Sequence, residues 1–471
     1  MPDSDICFIP ATEQARMVRN GDISAVELMG VHLDQIERVN PAVNAVVTLV
    51  ADEALAVAAE ADRAQASGGE LGPLHGLPAG IKDLVATAGI RTTMGSPIYT
   101  DNVPDADADI VTRMKSAGAI VLGKTNTPEF GAGSQTFNQV FGATLNPYDT
   151  SRTCGGSSGG SGVGLACGMF PTTVGTDLGG SLRNPAAWSN VVGLRPSPGR
   201  VPSAGALPWT SMSTAGPMGR TVADVALMLS VQAGPDPLVP SSLQDDPARF
   251  SDSLGRDFTG VRIAWSRDLG GRPIEPVQTE VLDAQRHVFE GIGCIVVDAE
   301  PDLSESDSVF QVLRAYSFAH GQEQNLINHR DQLKDTVIWN VEEGLALSAL
   351  DVAKAEEMRT ELFGRMIAFF DEYDFLALPV TSVPPFSVDI PYPIVVNGVK
   401  METYIDWMWP CADITVIACP AISVPAGFTP DGLPVGLQLV SAPRTDFELL
   451  QLAHAFEGAT EFWKQRPGVV E

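Results

Sequence analysis

Apolar residues recur at helical spacing early in the chain. Over 24–38, Val26, Leu28, Met29, Leu33 and Ile36 fall near one face, and 51–66 is rich in Ala and Glu. Residues 11–66 are therefore read as helices. Gly and Pro interrupt the pattern at 68–80, before a short apolar run at 79–82 that reads as a strand. A helix is predicted over 107–118 and a buried strand over 119–123. Alternation of this kind points to an α/β layered core. Further on, 221–233 opens with a T-x-x-D capping pattern and continues apolar, which predicts a helix. Residues 236–257 read as an exposed connection. Strand and helix segments return over 261–380, with 358–370 the clearest helix. The end of the chain reads as two strands over 420–442 around a Thr-Pro-Asp-Gly turn. A capping box from Thr445 to Glu448 then starts a final helix to about Phe456. No internal repeat or low-complexity tail is present.

Composition narrows the class. The 471 residues are long enough to bury a large core without staples. Hydrophobic content of 44% and charged content of 19% are those of a globular protein. With 30 basic against 58 acidic residues the net charge is -28, which repels phosphate backbones and argues against a nucleic-acid partner. Six cysteines show no C-x-x-C pair and no zinc-ligand spacing with histidine, so reduced thiols and no metal are expected. The Met-Pro-Asp-Ser-Asp opening has no basic, then apolar, leader, and no apolar stretch is long enough to span a bilayer. The expectation is a soluble cytoplasmic protein.

Residues 131–220 combine Gly, Ser, Thr and Pro with few charges, yet also carry Val163, Leu165, Met169, Phe170, Val174, Trp188, Val191 and Leu194. A flexible linker would lack such apolar residues, so the small ones are read as packed. Glycine permits close backbone approach and leaves amides uncovered, which suits an active-site scaffold. Two clusters stand out: Cys154-Gly-Gly-Ser157-Ser-Gly-Gly-Ser161-Gly and Gly175-Thr-Asp-Leu-Gly-Gly-Ser181-Leu-Arg-Asn-Pro185. A phosphate-binding loop would need Lys after the last Gly of the first cluster, where Val163 stands. The nucleophile elbow G-x-S-x-G fits at Ser157 and at Ser158. It requires a strand before it and a later Asp and His, whereas 146–153 is polar and turn-like. His287, His320, His329 and His454 carry no local signature, and His75 reads as a structural loop residue.

In the second cluster the amides before Ser181 are placed to converge on one oxygen, as acyl transfer requires for its oxyanion. A serine hydroxyl needs a base, and without a histidine the main candidate is a lysine. Lys82, in Gly80-Ile81-Lys82-Asp83, follows the strand-like run. Here the chain resembles the amidase signature family. The G-x-K-D segment at Lys82, the G-G-S-S-G-G-S run from Gly155 and the D-x-G-G-S-x-R-x-P-A run from Asp177 to Ala186 occur in family order. Their intervals match too, with Ser157 at 75 positions past Lys82 and Ser181 at 24 past Ser157. The likeness is strong over 60–225 and looser over 375–460, while 235–370 is variable.

That resemblance implies one α/β domain over 1–471, a mixed many-stranded sheet with helices on both sides. It implies a metal-free and cofactor-free hydrolase with a Ser–cisSer–Lys triad. Ser181 would be the nucleophile, Ser157 the relay behind a cis peptide bond, and Lys82 the base. Amides of Leu178, Gly179 and Gly180 would form the oxyanion hole. Gly131, Gly133 and Ser134, in the loop after Phe130, and Asn184, past the nucleophile, would face substrate. Arg183 and Asp177 are expected to hold the loop rather than react. For Lys82 to act as base, its pKa must fall from about 10.4 to near neutrality, a differential of roughly 4 kcal/mol to be supplied by burial and neighbours. Neutral residues at these positions favour a neutral, aryl-bearing or extended amide, and Trp407, Met408, Trp409 and Cys411 would provide an apolar wall. Carbamates and esters share the acyl chemistry, so carbamate hydrolase (urethanase) activity stays open. The expected partners are that small molecule and water, in a monomer or homodimer, with no nucleic acid and no membrane. The alternative is the catalytic subunit of a glutamine-dependent Glu/Asp-tRNA amidotransferase, although that subfamily generally carries Gln where Asn184 stands. A lesser alternative is an α/β-hydrolase-like esterase using Ser157 or Ser158 with a His.

Overall fold

Eleven strands hydrogen-bond into one mixed sheet in the computed structural model, which describes residues 3–205 and 207–471. In chain order they are β1 (Val46–Leu49), β2 (Pro78–Lys82), β3 (Ile120–Thr125), β4 (Thr172–Asp177), β5 (Val192–Arg195) and β6 (Thr214–Gly219). The second half supplies β7 (Arg262–Trp265), β8 (Ile295–Asp298), β9 (Phe375–Pro379), β10 (Ala421–Phe428) and β11 (Pro434–Ser441). The spatial order is β1-β3-β2-β4-β6-β5-β10-β11-β9-β7-β8. β2 runs parallel to both β3 and β4, while β10 and β11 form an antiparallel hairpin in the centre.

Strand alternation sends successive side chains to opposite faces. Ile263 and Trp265 of β7 join one apolar cluster and Ala264 the other, and Phe375, Leu376, Ala377 and Leu378 of β9 alternate likewise. Helices cover both faces. Ala11–Asn20, Val222–Gln232 and Asp446–Thr460 pack on one; Ala25–Val43, Gly159–Ala166 and Ser306–His329 contribute to the clusters on the other. The sheet and its two covered faces are the α/β architecture expected above. Among the described residues no helix is long and apolar enough to cross a membrane.

Local expectations fared unevenly. The Thr221 capping box forms: the Asp224 amide donates to Thr221 Oγ1 and the Thr221 amide to the Asp224 carboxylate, both at 3.2 Å. The Thr445 box does not form. Asp446 instead accepts the Ser197 amide at 2.7 Å and faces Arg200, and Glu448 pairs with Arg249. The final helix begins there nonetheless and runs over Asp446–Thr460. Residues 11–66 are not all helical. Asn44 turns left-handed at φ 52°, and the β-branched run after it becomes β1, an edge strand antiparallel to β3. The connection 236–257 is not wholly exposed, because Phe250 and Leu254 enter the core.

The apolar residues singled out within 131–220, from Val163 to Leu194, are buried, Phe170 and Trp188 completely, while Trp209 is exposed. The small residues are therefore packing elements. A Cβ on Gly160 would lie 2.3 Å from the Asn126 backbone nitrogen, so the helix Gly159–Ala166 sits against β3 at a distance only glycine permits. Because β2 and β4 are parallel neighbours, their carboxyl ends lie at the same edge of the sheet. Lys82 is the last residue of β2 and Asp177 the last of β4.

Candidate active site

Lys82 is completely buried. Its Nζ donates to Ser157 Oγ at 2.7 Å and to Thr176 Oγ1 at 2.9 Å. Burial pulls its pKa down to about 7, and the charge of Asp177 opposes that fall without cancelling it. A second lysine, Lys124 on β3, is also buried and depressed to about 7. Its ammonium is held by Thr87 Oγ1 at 2.8 Å, Thr92 Oγ1 at 3.0 Å and the Val85 carbonyl, in a structural nook.

Ser157 lies just before the helix Gly159–Ala166, and the Gly156–Ser157 peptide bond is cis. Thr136 pins this turn from outside: its hydroxyl donates to the Gly155 carbonyl at 2.8 Å and accepts the Gly159 amide at 3.1 Å. Ser181 follows β4 on the turn into the helix Arg183–Trp188. The two serine loops are joined where the Ser158 amide donates to the Ser181 carbonyl at 3.3 Å.

Asp177 shapes the second loop. Its carboxylate accepts from Arg183 Nη2 at 2.9 Å and Nε at 3.0 Å, from Arg195 Nη1 at 3.3 Å, and from the amides of Gly180 at 2.9 Å and Leu182 at 3.1 Å. Burial pushes this carboxyl upward, but the two guanidinium groups outweigh it and hold it well below the usual range. Of the three amides expected to face an oxyanion, that of Gly180 is thus committed to Asp177. The amides of Leu178, Gly179 and Ser181 have no hydrogen bond within the described residues, and all three residues border the cavity. The three amides without a partner thus belong to Leu178, Gly179 and Ser181, whereas the Gly180 amide is engaged within the loop.

A cavity of about 320 Å³ opens over these loops. Ser157, Thr176 and Ser181 lie on its floor wall, with Lys82 beneath them. Gly131 and Gly133 line it as well. Gly131 holds φ at +71°, and a Cβ there would approach Ser157 Oγ to 3.4 Å. Ser134 is buried and does not reach the wall. Asn184 lies behind Gly180, its Oδ1 2.9 Å from where a Gly180 Cβ would stand, and it is not on the cavity wall either. Of the expected apolar wall, Met408 alone lines the cavity. Trp407 stacks on Trp188 with ring centroids 5.4 Å apart, Trp409 donates to the Pro273 carbonyl, and Cys411 packs under Gly180.

Thr176, Phe310, Arg314, Phe318, Gln322 and Tyr404 are cavity residues that the sequence reading did not single out. Phe310, Arg314, Phe318 and Gln322 recur every fourth residue, a stripe along one face of the helix Ser306–His329. That period was visible in the sequence, but nothing in the letters tied it to the serine loops. The nucleophile-elbow alternative lacks both requirements. Among the described residues no strand runs into Ser157 and no histidine lines the cavity.

A family model described as Amidase matches residues 27–450. The chain belongs to the amidase signature family. It is an amidase, an enzyme of amide hydrolysis. It is 35% identical to an acylamidase from Rhodococcus erythropolis over 99% of this chain and 98% of that protein. It is also 34% identical to a glutamyl-tRNA(Gln) amidotransferase subunit from Carboxydothermus hydrogenoformans, over 98% of this chain and 99% of the other. Among solved structures, a bacterial aryl acylamidase of the amidase signature family superposes with a TM-score of 0.92 at 28% identity, covering 99% of both chains.

Proposed function

We propose that this amidase cleaves the amide bond of a small acylated amine through an acyl-enzyme on Ser181. The observation that carries the reading is the hydrogen bond between Lys82 Nζ and Ser157 Oγ, 2.7 Å long and fully buried beside the cavity that Ser181 lines. Neutral Lys82 takes the proton of Ser157, and Ser157 takes that of Ser181 as Ser181 Oγ bonds to the substrate carbonyl carbon. The carbonyl electron pair moves to oxygen, where the amides of Leu178, Gly179 and Ser181 stabilise it. Collapse breaks the carbon–nitrogen bond, and the departing amine receives its proton from Ser157, which regains one from Lys82. Water then enters by the same relay and releases the carboxylic acid, so the net change is one amide and one water to one acid and one amine. Carbamates and esters present the same carbonyl and fall within the reach of the same steps.

The cavity wall supports an extended, mostly apolar or aryl-bearing substrate. Leu84, Met94, Phe130, Leu178, Phe310 and Met408 surround the floor, a surface suited to hydrocarbon rather than to a small dicarboxylate. The likeness to acylamidases agrees with this reading. The tRNA amidotransferase reading rests on the likeness to several glutamyl-tRNA(Gln) amidotransferase subunits, and it requires glutamine as the amide donor together with partner subunits. Parallel assays separate the two. The proposal expects turnover of acyl anilides by the isolated chain and negligible ammonia from glutamine; glutaminase activity that appears only with a co-purifying subunit would replace it with the amidotransferase.

A further inference from the structure

Arg314 is a buried cation on the wall of the catalytic cavity with no anionic partner among the described residues. The helix Ser306–His329 presents it between Phe310 and Phe318, each one turn away, and it is 4% exposed. One of its Nη atoms donates to the Tyr404 hydroxyl, and the other, Nη1, has no hydrogen-bond partner among the described residues. The guanidinium lies 4.6 Å from the ring centroid of Phe318 and 5.1 Å from that of Tyr404. The other arginines buried near the site differ. Arg183 and Arg195 share Asp177, and Arg200 meets Asp245 and Asp446. Among the described residues no carboxylate pairs with Arg314, and burial draws its pKa down to about 9.

Tyr404 adds a second donor. Its oxygen accepts from Arg314 and from Asn340 Nδ2 at 2.8 Å, and its own proton has no acceptor among the described residues. Arg314 and Tyr404 both border the cavity that Ser181 also lines, and each carries a buried donor, Nη1 and the hydroxyl proton, without an acceptor among the described residues. Aromatic faces offset part of the cost of burying a guanidinium, but they satisfy no N–H and supply no opposite charge. A neutral carbonyl would fill one donor and leave the charge uncompensated. A carboxylate has two oxygens for the two donors and the charge that the pocket lacks.

We infer that Arg314, with Tyr404, binds a carboxylate carried by the amide substrate away from the scissile carbonyl. This rests on the hydrolase reading above and narrows its substrate class to amphipathic amides, apolar along Phe310, Phe318 and Met408 and anionic at one end. It replaces the wholly neutral substrate expected from Asn184, a residue that does not reach the cavity wall.

The test is calorimetric titration of the Ser181→Ala protein, which binds without turnover, with three matched ligands. Hexananilide is neutral, the monoanilide of adipic acid carries the carboxylate on the acyl side, and N-hexanoyl-4-aminobenzoate carries it on the amine side. One of the two carboxylates should bind at least ten-fold more tightly than hexananilide, and which one it is assigns the side. Arg314→Met in the same background should abolish that ratio, and Tyr404→Phe, which keeps the ring, should reduce it a few-fold. If neither carboxylate exceeds hexananilide, or if the preference survives Arg314→Met, the inference is overturned. Fluorophosphonate labelling of the otherwise unaltered enzyme at Ser181 is scored separately. An unlabelled Ser181 beside a strong carboxylate preference overturns the hydrolase reading and leaves the ligand assignment standing.

Discussion

Asp177 opposes the pKa depression of Lys82, yet its carboxylate is engaged by Arg183 at 2.9 Å and by Arg195 at 3.3 Å. A free carboxylate at the end of the neighbouring strand would keep a buried ammonium charged. Here the two guanidinium groups claim that charge, so desolvation decides, and Lys82 settles near neutrality. The same ion cluster that folds the Ser181 loop thus leaves the lysine able to accept a proton.

The pH profile follows from this balance. A base with its pKa near 7 is increasingly neutral as pH rises through that value, so kcat/KM should climb between about pH 6 and 8 and then level off. Lys82→Arg keeps the charge but does not deprotonate. It should lower kcat/KM by roughly a thousand-fold or more at every pH, within the range typical of lost acid–base catalysis. A pH-independent profile in the unmodified enzyme would count against Lys82 as the base.

Thr176 is predicted to position Lys82. Its hydroxyl accepts from Nζ at 2.9 Å and so favours the protonated form. Thr176→Val removes that acceptor, which should move the midpoint of the profile to lower pH and cut kcat by about ten- to a hundred-fold. A purely structural threonine would lower activity and leave the midpoint where it was, and titration of kcat/KM against pH distinguishes the two.

Asp177→Asn leaves two buried arginines without their counter-charge. Breaking a buried ion pair in this way costs about 3–5 kcal/mol, measurable by urea unfolding. Because the carboxyl pKa is depressed, its stabilisation is present in full above the ordinary carboxylate value of about 3.9 and fades only at more acidic pH. The loss in the variant should therefore be flat between about pH 8 and 10, where Lys82 is neutral in both proteins, and should grow as pH falls through the Lys82 pKa of about 7, because removing Asp177 lowers that pKa further. A loss under 1 kcal/mol would mean that the loop is held by something other than this cluster.

Lys82→Met should abolish activity and stabilise the fold. Between about pH 7 and 10.4 the unfolded chain holds a proton on this lysine that the folded chain has released, so the stability of the unmodified protein rises with pH across that window. Replacing the lysine removes the penalty. The gain should be about 2–4 kcal/mol at pH 7, after allowing for the hydrogen bonds lost to Ser157 and Thr176, and should shrink as pH approaches 10. A variant less stable than the parent at pH 7 would contradict this account of burial.

The reach of the sequence can be judged from particular residues. Lys82, Ser157 and Ser181 lie far apart in the chain, yet their motifs carried enough local pattern for the letters to group them, and the strand over 78–82 was legible from its apolar run. Orientation was not legible. Asn184 and Ser134 belong to the right loops but do not reach the cavity, and the Gly180 amide turns to Asp177. His32 and Gln35 fill the buried stripe of the helix Ala25–Val43 because the Gly168 and Cys167 carbonyls receive their polar atoms. Val26, read as part of the apolar face, is exposed. Hydrophobicity alone does not anticipate such polar compensation. Arg314 was hidden for a different reason, since only the fold brings its helix to the cavity of the serine loops.

The most direct test of the central claim is intact-protein mass after fluorophosphonate treatment, with peptide mapping, in the parent, Ser181→Ala and Lys82→Ala proteins. The account predicts one adduct, on Ser181, absent from Ser181→Ala and formed far more slowly in Lys82→Ala. An adduct on Ser157 or Ser158, or labelling of Ser181 at an unchanged rate without Lys82, would contradict it.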